Sequence, residues 1–304
     1  MSNILEHIEK NPQETQRLVG LGYEQLQQLI QNAEKLHKDK QASVESNKIR
    51  IIAGGGGRKP KLSVPEQILL TLVYLRHMTT FQLLGIQFGV SESTANDTFN
   101  YWVPLLRELL PSSLLEQVKK NANDYETVKE VLTEYELIVD SYEQVRERPG
   151  DYNEQEKYYS GKQKSHTFKT QMIILPSGRD IVDIIAGLPG PKSDITLFRE
   201  NRERFDAKQK FKGDLAYKGE NLIDTPIKKP KNKELTIEQK SENKEFSSKR
   251  IVVEHRIRSV KIFRVVQDRF RLNPKKYEQV IMTRGGLVRL RIGSLILPAE
   301  ILPN

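Results

Sequence analysis

Three carboxylates, far apart along the chain, stand where neighbouring residues would present them for chemistry. Asp140 closes the run Tyr135, Leu137, Ile138 and Val139, and an apolar run of this length reads as a buried strand. A carboxylate at the mouth of such a core needs a partner. Asp214 ends the segment Lys210-Phe211-Lys212-Gly213-Asp214, and Glu254 lies in the basic, helix-like stretch from Arg250 to Val266. Oxygen donors of this kind suit hard cations such as Mg2+, which keep several waters. Two such ions side by side can activate an attacking hydroxyl and stabilise the leaving oxygen of a phosphodiester. Each residue also has a plainer reading. Asp140 could be a solvated aspartate opening a turn, and Glu254 one member of a row of i,i+4 ion pairs.

The helical spacing around Glu254 adds to the chemical reading. At about 100° per residue, Arg250 falls about −40° and Lys261 about −20° from Glu254. Arg250, Glu254, Arg258 and Lys261 therefore share a face, with one acid framed by three bases. Such a face could serve metal and DNA phosphates together. His166 and His255 read as surface or packing residues, because a Mg2+ site prefers oxygen.

The rest of the chain must position these groups. It has 304 residues, 49 basic and 40 acidic, and a net charge of +9. Length of this order allows two domains, and the charge favours polyanionic partners, nucleic acid first. There is no cysteine, which excludes disulfides, zinc–thiolate sites and thiol catalysis. No apolar run approaches the roughly 20 residues of a membrane span, and the polar, acid-bearing start is unlike a signal peptide. A soluble protein of the reducing cytoplasm is the expectation, with no membrane partner.

Residues 1–53 read as helical, with Leu26, Leu29, Ile30, Ala33 and Leu36 at helical spacing, either for a dimer contact or for the helix's own core. Residues 54–61 hold four consecutive glycines and then Arg58, Lys59, Pro60 and Lys61. They read as a linker whose bases could follow a DNA backbone. Residues 62–120 have the grammar of a helix-turn-helix. Ser63 caps a helix, a short helix ends at Phe88-Gly89, and Ser91 caps a second one running to Trp102. Ser93, Thr94 and Asn96 on that last helix could read base edges. Residues 111–130 read as a further helix and connection. Strands follow at 133–140, 166–175 and 179–187, the last two joined by Pro176-Ser177-Gly178, a turn signal. Ser193 or Asp194 caps a helix, with Asp194 read as a cap rather than a ligand. Residues 226–249 read as a Lys-rich surface insertion.

Strand, strand, strand, helix, strand and a late helix is the order of an RNase H-like core. The fold class expected is thus α/β, a mixed sheet flanked by helices across 131–295, preceded by an all-α domain. Here the chain resembles the DDE transposases of bacterial insertion sequences. The resemblance rests on Leu137-Ile138-Val139-Asp140, Gly213-Asp214-Leu215-Ala216-Tyr217-Lys218-Gly219 and Arg250-x3-Glu254-x6-Lys261. The GRKPKLS entry to the helix-turn-helix and Gly285 to Arg291 are similar to that family too.

The resemblance implies Asp140, Asp214 and Glu254 as catalytic metal ligands, and Mg2+ or Mn2+ as a pair of ions. It implies contacts from Arg250 and Lys261 to DNA near the active site. It also implies double-stranded DNA partners, namely terminal inverted repeats and a target, held by a homodimer or larger assembly in the bacterial cytoplasm at the nucleoid. Cleavage by water and attack of a DNA 3′-hydroxyl on the target would follow. The chain departs from the family pattern in three places. Ser247 stands where a Tyr is common, Ser141-Tyr142-Glu143 follow the first aspartate, and Ser193-Asp194 replace His-Asp. Two other readings keep the fold: a silent DNA-binding derivative, and a non-mobile nuclease.

Overall fold

Alternation along the first strand sets the architecture of the sheet-bearing half. In the computed structural model, which describes residues 4–46, 59–231 and 233–298, the chain forms two units. One comprises Met1–Leu110, Phe263–Val265 and Leu295–Asn304; the other comprises Pro111–Ile262 and Val266–Ser294. No described helix is long and apolar enough to cross a membrane.

The first unit is helical: α1 (Ile4–Lys10), α2 (Thr15–Val19), α3 (Tyr23–Ser46), α4 (Val64–His77), α5 (Phe81–Phe88) and α6 (Glu92–Leu109). Every residue of α4 from Ile68 to Leu75 is buried. A helix apolar on all sides belongs at the centre of its unit. Its start is fixed by a reciprocal cap between Ser63 and Glu66, with Pro65 in the first turn, where a missing N–H costs nothing. Tyr74 stacks on Phe81 and tilts against Phe99, both with ring centroids 4.5 Å apart. Trp102 is fully buried and donates to Gln67 at 2.9 Å. The stripe Leu26, Leu29, Ile30 and Ala33 of α3 is buried here as well, so it serves this unit's core and not a dimer contact.

The bend between α5 and α6 is tight. Val90 N–H donates to Gly85 O at 2.8 Å. A side chain at Gly85 would place Cβ 2.7 Å from Val90 O, too close for any residue but glycine. Gly89 supplies the left-handed step at φ 67 and Ser91 caps α6 by accepting from Thr94 N–H.

The second unit contains α7 (Leu114–Val118), α8 (Ala122–Leu132), β1 (Leu137–Val145), α9 (Tyr152–Tyr158), β2 (Tyr159–Ser160), β3 (Ser165–Ile174), β4 (Ile181–Pro189), α10 (Asp194–Asn201), β5 (Phe211–Lys212), β6 (Ile223–Asp224), α11 (Ile237–Lys261) and α13 (Tyr277–Arg291); the residues of the short α12 (Arg264–Gln267) divide between the two units. The sheet runs β4-β3-β1-β5-β6, with β2 also on β3. β1, β3 and β4 pair antiparallel, whereas β1, β5 and β6 pair parallel. This mixed order is that of an RNase H-like sheet. Leu137, Val139, Ile173, Val182, Phe198, Phe211 and Tyr217 form the core on one side. The fully buried Arg289 of α13 holds both oxygens of Asp180 at 2.7 and 2.9 Å, and donates to the carbonyls of Pro111 and Ser113.

Three expectations change, and one helix is added. β1 begins at Leu137 and continues five residues past Asp140, because Tyr142 and Gln144 go on alternating inward and pair with β3 as far as Val145↔Thr167. The polar stretch before residue 159 contains α9, capped by Asp151. Residues 226–249 are a loop only in part: Thr236 and Gln239 form a capping box, so the Glu254 helix starts at Ile237. Ser193, not Asp194, caps α10.

Candidate active site

The parallel pairing of β1 and β5 leads the chain toward the first two carboxylates. Ile138 pairs with Lys212 in parallel. Two residues further along each chain stand Asp140, still within β1, and Asp214, past the end of β5 at the N-cap of the 3-10 turn Leu215–Tyr217. Their proximity is felt at the Asp140 carboxyl. It is pushed up to about 6, chiefly by burial, with the charges of Asp214 and Asp194 adding to the rise. The Ser141 N–H, which donates to Asp140 Oδ1 at 2.8 Å, and the Arg250 guanidinium pull in the other direction. Asp214 turns one oxygen to the Ala216 N–H at 2.9 Å and so caps the 3-10 turn Leu215–Tyr217.

Glu254 comes from the exposed face of α11. It lines a cleft of about 500 Å3 together with Asp140, Tyr142, Arg258, Lys261 and Gln267. Val253, Ile257 and Val260 are the buried residues of the same helix, and they orient the charged face over β1. Arg250 reaches Asp140 Oδ2 at 3.5 Å. Lys261 lies over the Tyr142 ring at 5.2 Å from its centroid. The acid framed by bases is therefore a cleft wall, with Arg250 turned to the strand aspartate. Among the described residues, no three acidic or histidine side chains come close enough together to hold one ion.

Sequence reasoning missed the layer beneath. Asp194, read as a cap, instead pairs at 2.9 Å with the buried Lys169, whose ammonium also donates to Lys192 O. The Tyr217 hydroxyl bonds to Ser141 Oγ at 2.9 Å and receives the Gln171 amide at 3.1 Å. The signal available was the spacing of Tyr217 three residues after Asp214, on the inner side of a single turn.

The candidate DNA-binding residues of the helical unit lie at its surface. Ser93 and Thr94 are exposed in the first turn of α6, and Asn96 is half-buried, accepting from Asn100. Lys59 is exposed, and Lys61 donates to the carbonyl of Gly89 in the α5–α6 turn. Arg58 and the four glycines lie outside the described residues.

Comparison with known proteins decides the family. Residues 139–289 match the family described as DDE superfamily endonuclease, and residues 60–112 match the helix-turn-helix of DDE superfamily endonuclease. The chain is 34% identical over 225 residues to a probable transposase for insertion sequence element IS702 from Microchaete diplosiphon, covering 73% of this chain and 78% of that protein. The chain belongs to the DDE transposases of insertion sequences. DNA is thus the partner of this transposase, and its endonuclease half is the sheet unit. It is also similar to the Mos1 transposase paired-end complex with left transposon end, at 10% identity over 83% of this chain and 87% of that one. With a TM-score of 0.19, that likeness carries no argument about the site.

Proposed function

We propose that this transposase cuts DNA at the ends of its own element and joins them to a target, with Asp140, Asp214 and Glu254 holding Mg2+ or Mn2+ as a pair of ions. The observation that carries this reading is the shared basic cleft of Asp140 and Glu254, with Asp214 beside Asp140. The donor set fits a hard cation. All three donors are carboxylates, and burial with two neighbouring negative charges leaves Asp140 short of positive charge, which a dication relieves. Bound there, such ions supply Lewis acidity to the attacking and leaving oxygens of a phosphodiester.

The remaining work belongs to the chain. Arg258 and Lys261 on the cleft wall hold DNA phosphates beside the carboxylates by charge-assisted contacts. Arg250 anchors Asp140 from α11 and serves the same strand of DNA. In the helical unit, Ser93, Thr94 and Asn96 face base edges of the terminal inverted repeats, and Arg58, Lys59 and Lys61 meet the backbone. The two ends are held by a homodimer or larger assembly of this chain.

The test is direct. Purified protein is incubated with Mg2+ and a duplex bearing the element's ends. Asp214→Asn is expected to bind that duplex as the parent does and to leave it uncut. Equal cutting by both proteins would remove Asp214 from the site.

A further inference from the structure

β5 contributes two residues to the sheet, Phe211 and Lys212. Asp214 stands beyond the last paired residue, so the ladder itself does not hold it alongside Asp140. Something else must, since carboxylates that share cations need a fixed separation.

We infer that Tyr217 is a positioning residue for the metal site, a strut whose hydroxyl ties the Asp214 turn to β1 and so sets the spacing of Asp214 from Asp140. The inference rests on the proposed metal role of those two aspartates. Three observations support it. First, Tyr217 and Asp214 share one short turn: the Asp214 carboxylate accepts from Ala216 N–H at 2.9 Å, and Asp214 O accepts from Tyr217 N–H at 3.1 Å. Asp214 cannot shift without moving the ring. Second, the Tyr217 hydroxyl ends on Ser141, the residue after Asp140, at 2.9 Å, and on Gln171 at 3.1 Å. Ser141 and Gln171 are register partners across β1 and β3, so the hydroxyl is fastened to two paired strands. Third, the ring has no freedom to swing. It is 1% exposed, packs edge-on to Phe198 with centroids 6.4 Å apart, and folds back so closely that a Cβ at Gly213 would stand 2.7 Å from its Cδ2.

The geometry also explains two features of the sequence. Gly213 precedes Asp214 because a side chain there would strike the strut. Ser141 follows Asp140 where Gly or Ala would leave the hydroxyl without this bond. Asp140 and Ser141 point to opposite faces of β1, so the bond is made on the face away from the Asp140 side chain, while Ser141 itself also borders the cleft.

The test uses the full chain and Mn2+ as the probe. Mn2+ binding is followed by the decline of the free-ion electron paramagnetic resonance signal and by the rise in unfolding temperature, each independent of cleavage. Tyr217→Phe is expected to weaken Mn2+ binding about 10-fold or more, the range seen when a partner behind a ligand is removed, while its circular dichroism matches the parent's. Ser141→Ala breaks the same bond without touching the core and covers the case in which Tyr217→Phe folds poorly. The double variant is expected to be no worse than the weaker single one, because the same bond is missing in all three. Ser141→Thr, which keeps a hydroxyl, is expected to restore binding. Parent-like Mn2+ midpoints in Tyr217→Phe and Ser141→Ala would overturn the strut. A parent whose Mn2+ binding survives Asp214→Asn would instead overturn the metal role itself, so the two failures are separable.

Discussion

Helices α6 and α11 both begin on a hydroxyl cap, Ser91 in one and Thr236 in the other, and both carry polar side chains proposed to meet DNA. They differ in how those side chains are supported. α6 buries residues along most of its length, from Ala95 to Leu106, and holds no base before Arg107. α11 buries only Val253, Ile257 and Val260, all in its C-terminal half, and there it carries Arg250, Arg256, Arg258 and Lys261. A rigid polar surface without basic side chains is suited to discrimination among bases rather than to gripping phosphates. A basic face over an aspartate-bearing strand is suited to gripping any phosphate near the reaction. The proposal thus gives base selection to α6 and phosphate contacts near the reaction to α11, alongside those of Lys59 and Lys61.

The largest effect should come from the proposed metal-binding carboxylates. Asp214→Asn or Glu254→Gln is expected to lower cleavage by about 10³-fold or more, in keeping with the several kcal/mol a metal site supplies, while binding in a gel-shift assay is unchanged. Disappearance of binding together with cleavage would erase the division between the halves. Next, replacing Arg258 and Lys261 together with Ala should make the plot of log affinity against log salt shallower by about 1 for each phosphate no longer neutralised. Preference among duplex sequences should stay as it was. The converse pattern is expected on α6. Thr94→Ala or Asn96→Ala should reduce discrimination against altered repeat ends by about 1–3 kcal/mol for each base edge no longer read, with the salt slope intact. A changed slope in the α6 variants would show that the two helices share the electrostatic task.

The smallest effect concerns stability and sharpens the cost of the catalytic half. Folding lifts the Asp140 carboxyl from its ordinary 3.8 to about 6. The folded chain therefore binds more protons than the unfolded chain between those values, and this residue makes stability fall as pH rises through that window. Asp140→Asn removes the penalty. Urea unfolding should show a gain on the order of 1–3 kcal/mol at pH 7.5, fading as pH falls towards 4. A drop in stability at pH 7.5 would mean that the Arg250 contact outweighs burial. No such gain is expected from substitutions on α6, where Asp97 and Glu92 are exposed.

Local chemistry made some of this legible before any coordinates. The β3–β4 turn could be read because Pro176-Ser177-Gly178 needs a left-handed step, and Gly178 takes φ +66. The α5–α6 bend could be read from Gly89 and the cap Ser91. The position of Asp140 within β1 could not, because the polar-looking Ser141-Tyr142-Glu143-Gln144 hides an alternation visible only when Tyr142 and Gln144 are known to be buried. The true start of α11 was masked by its composition. From Ile237 to Val252 no residue is buried, so there is no apolar stripe to find, and only the Thr236–Gln239 cap marks the beginning. The Lys169–Asp194 pair and the Tyr217 bonds join residues far apart in the chain, and spacing along it says nothing about such meetings.

Arg289 carries a consequence for how the molecule is made. Its guanidinium neutralises Asp180 and ties down the carbonyls of Pro111 and Ser113, yet it is translated after every strand of the sheet. A ribosome working from the amino end exposes the whole sheet first and delivers the cation that locks its edge last. Until then, Asp180 must stay wet, because a lone buried carboxylate is too costly. A chain that ends before residue 289 is therefore expected to lack the contacts that tie Asp180 to Pro111 and Ser113, and to unfold at lower urea than the full chain.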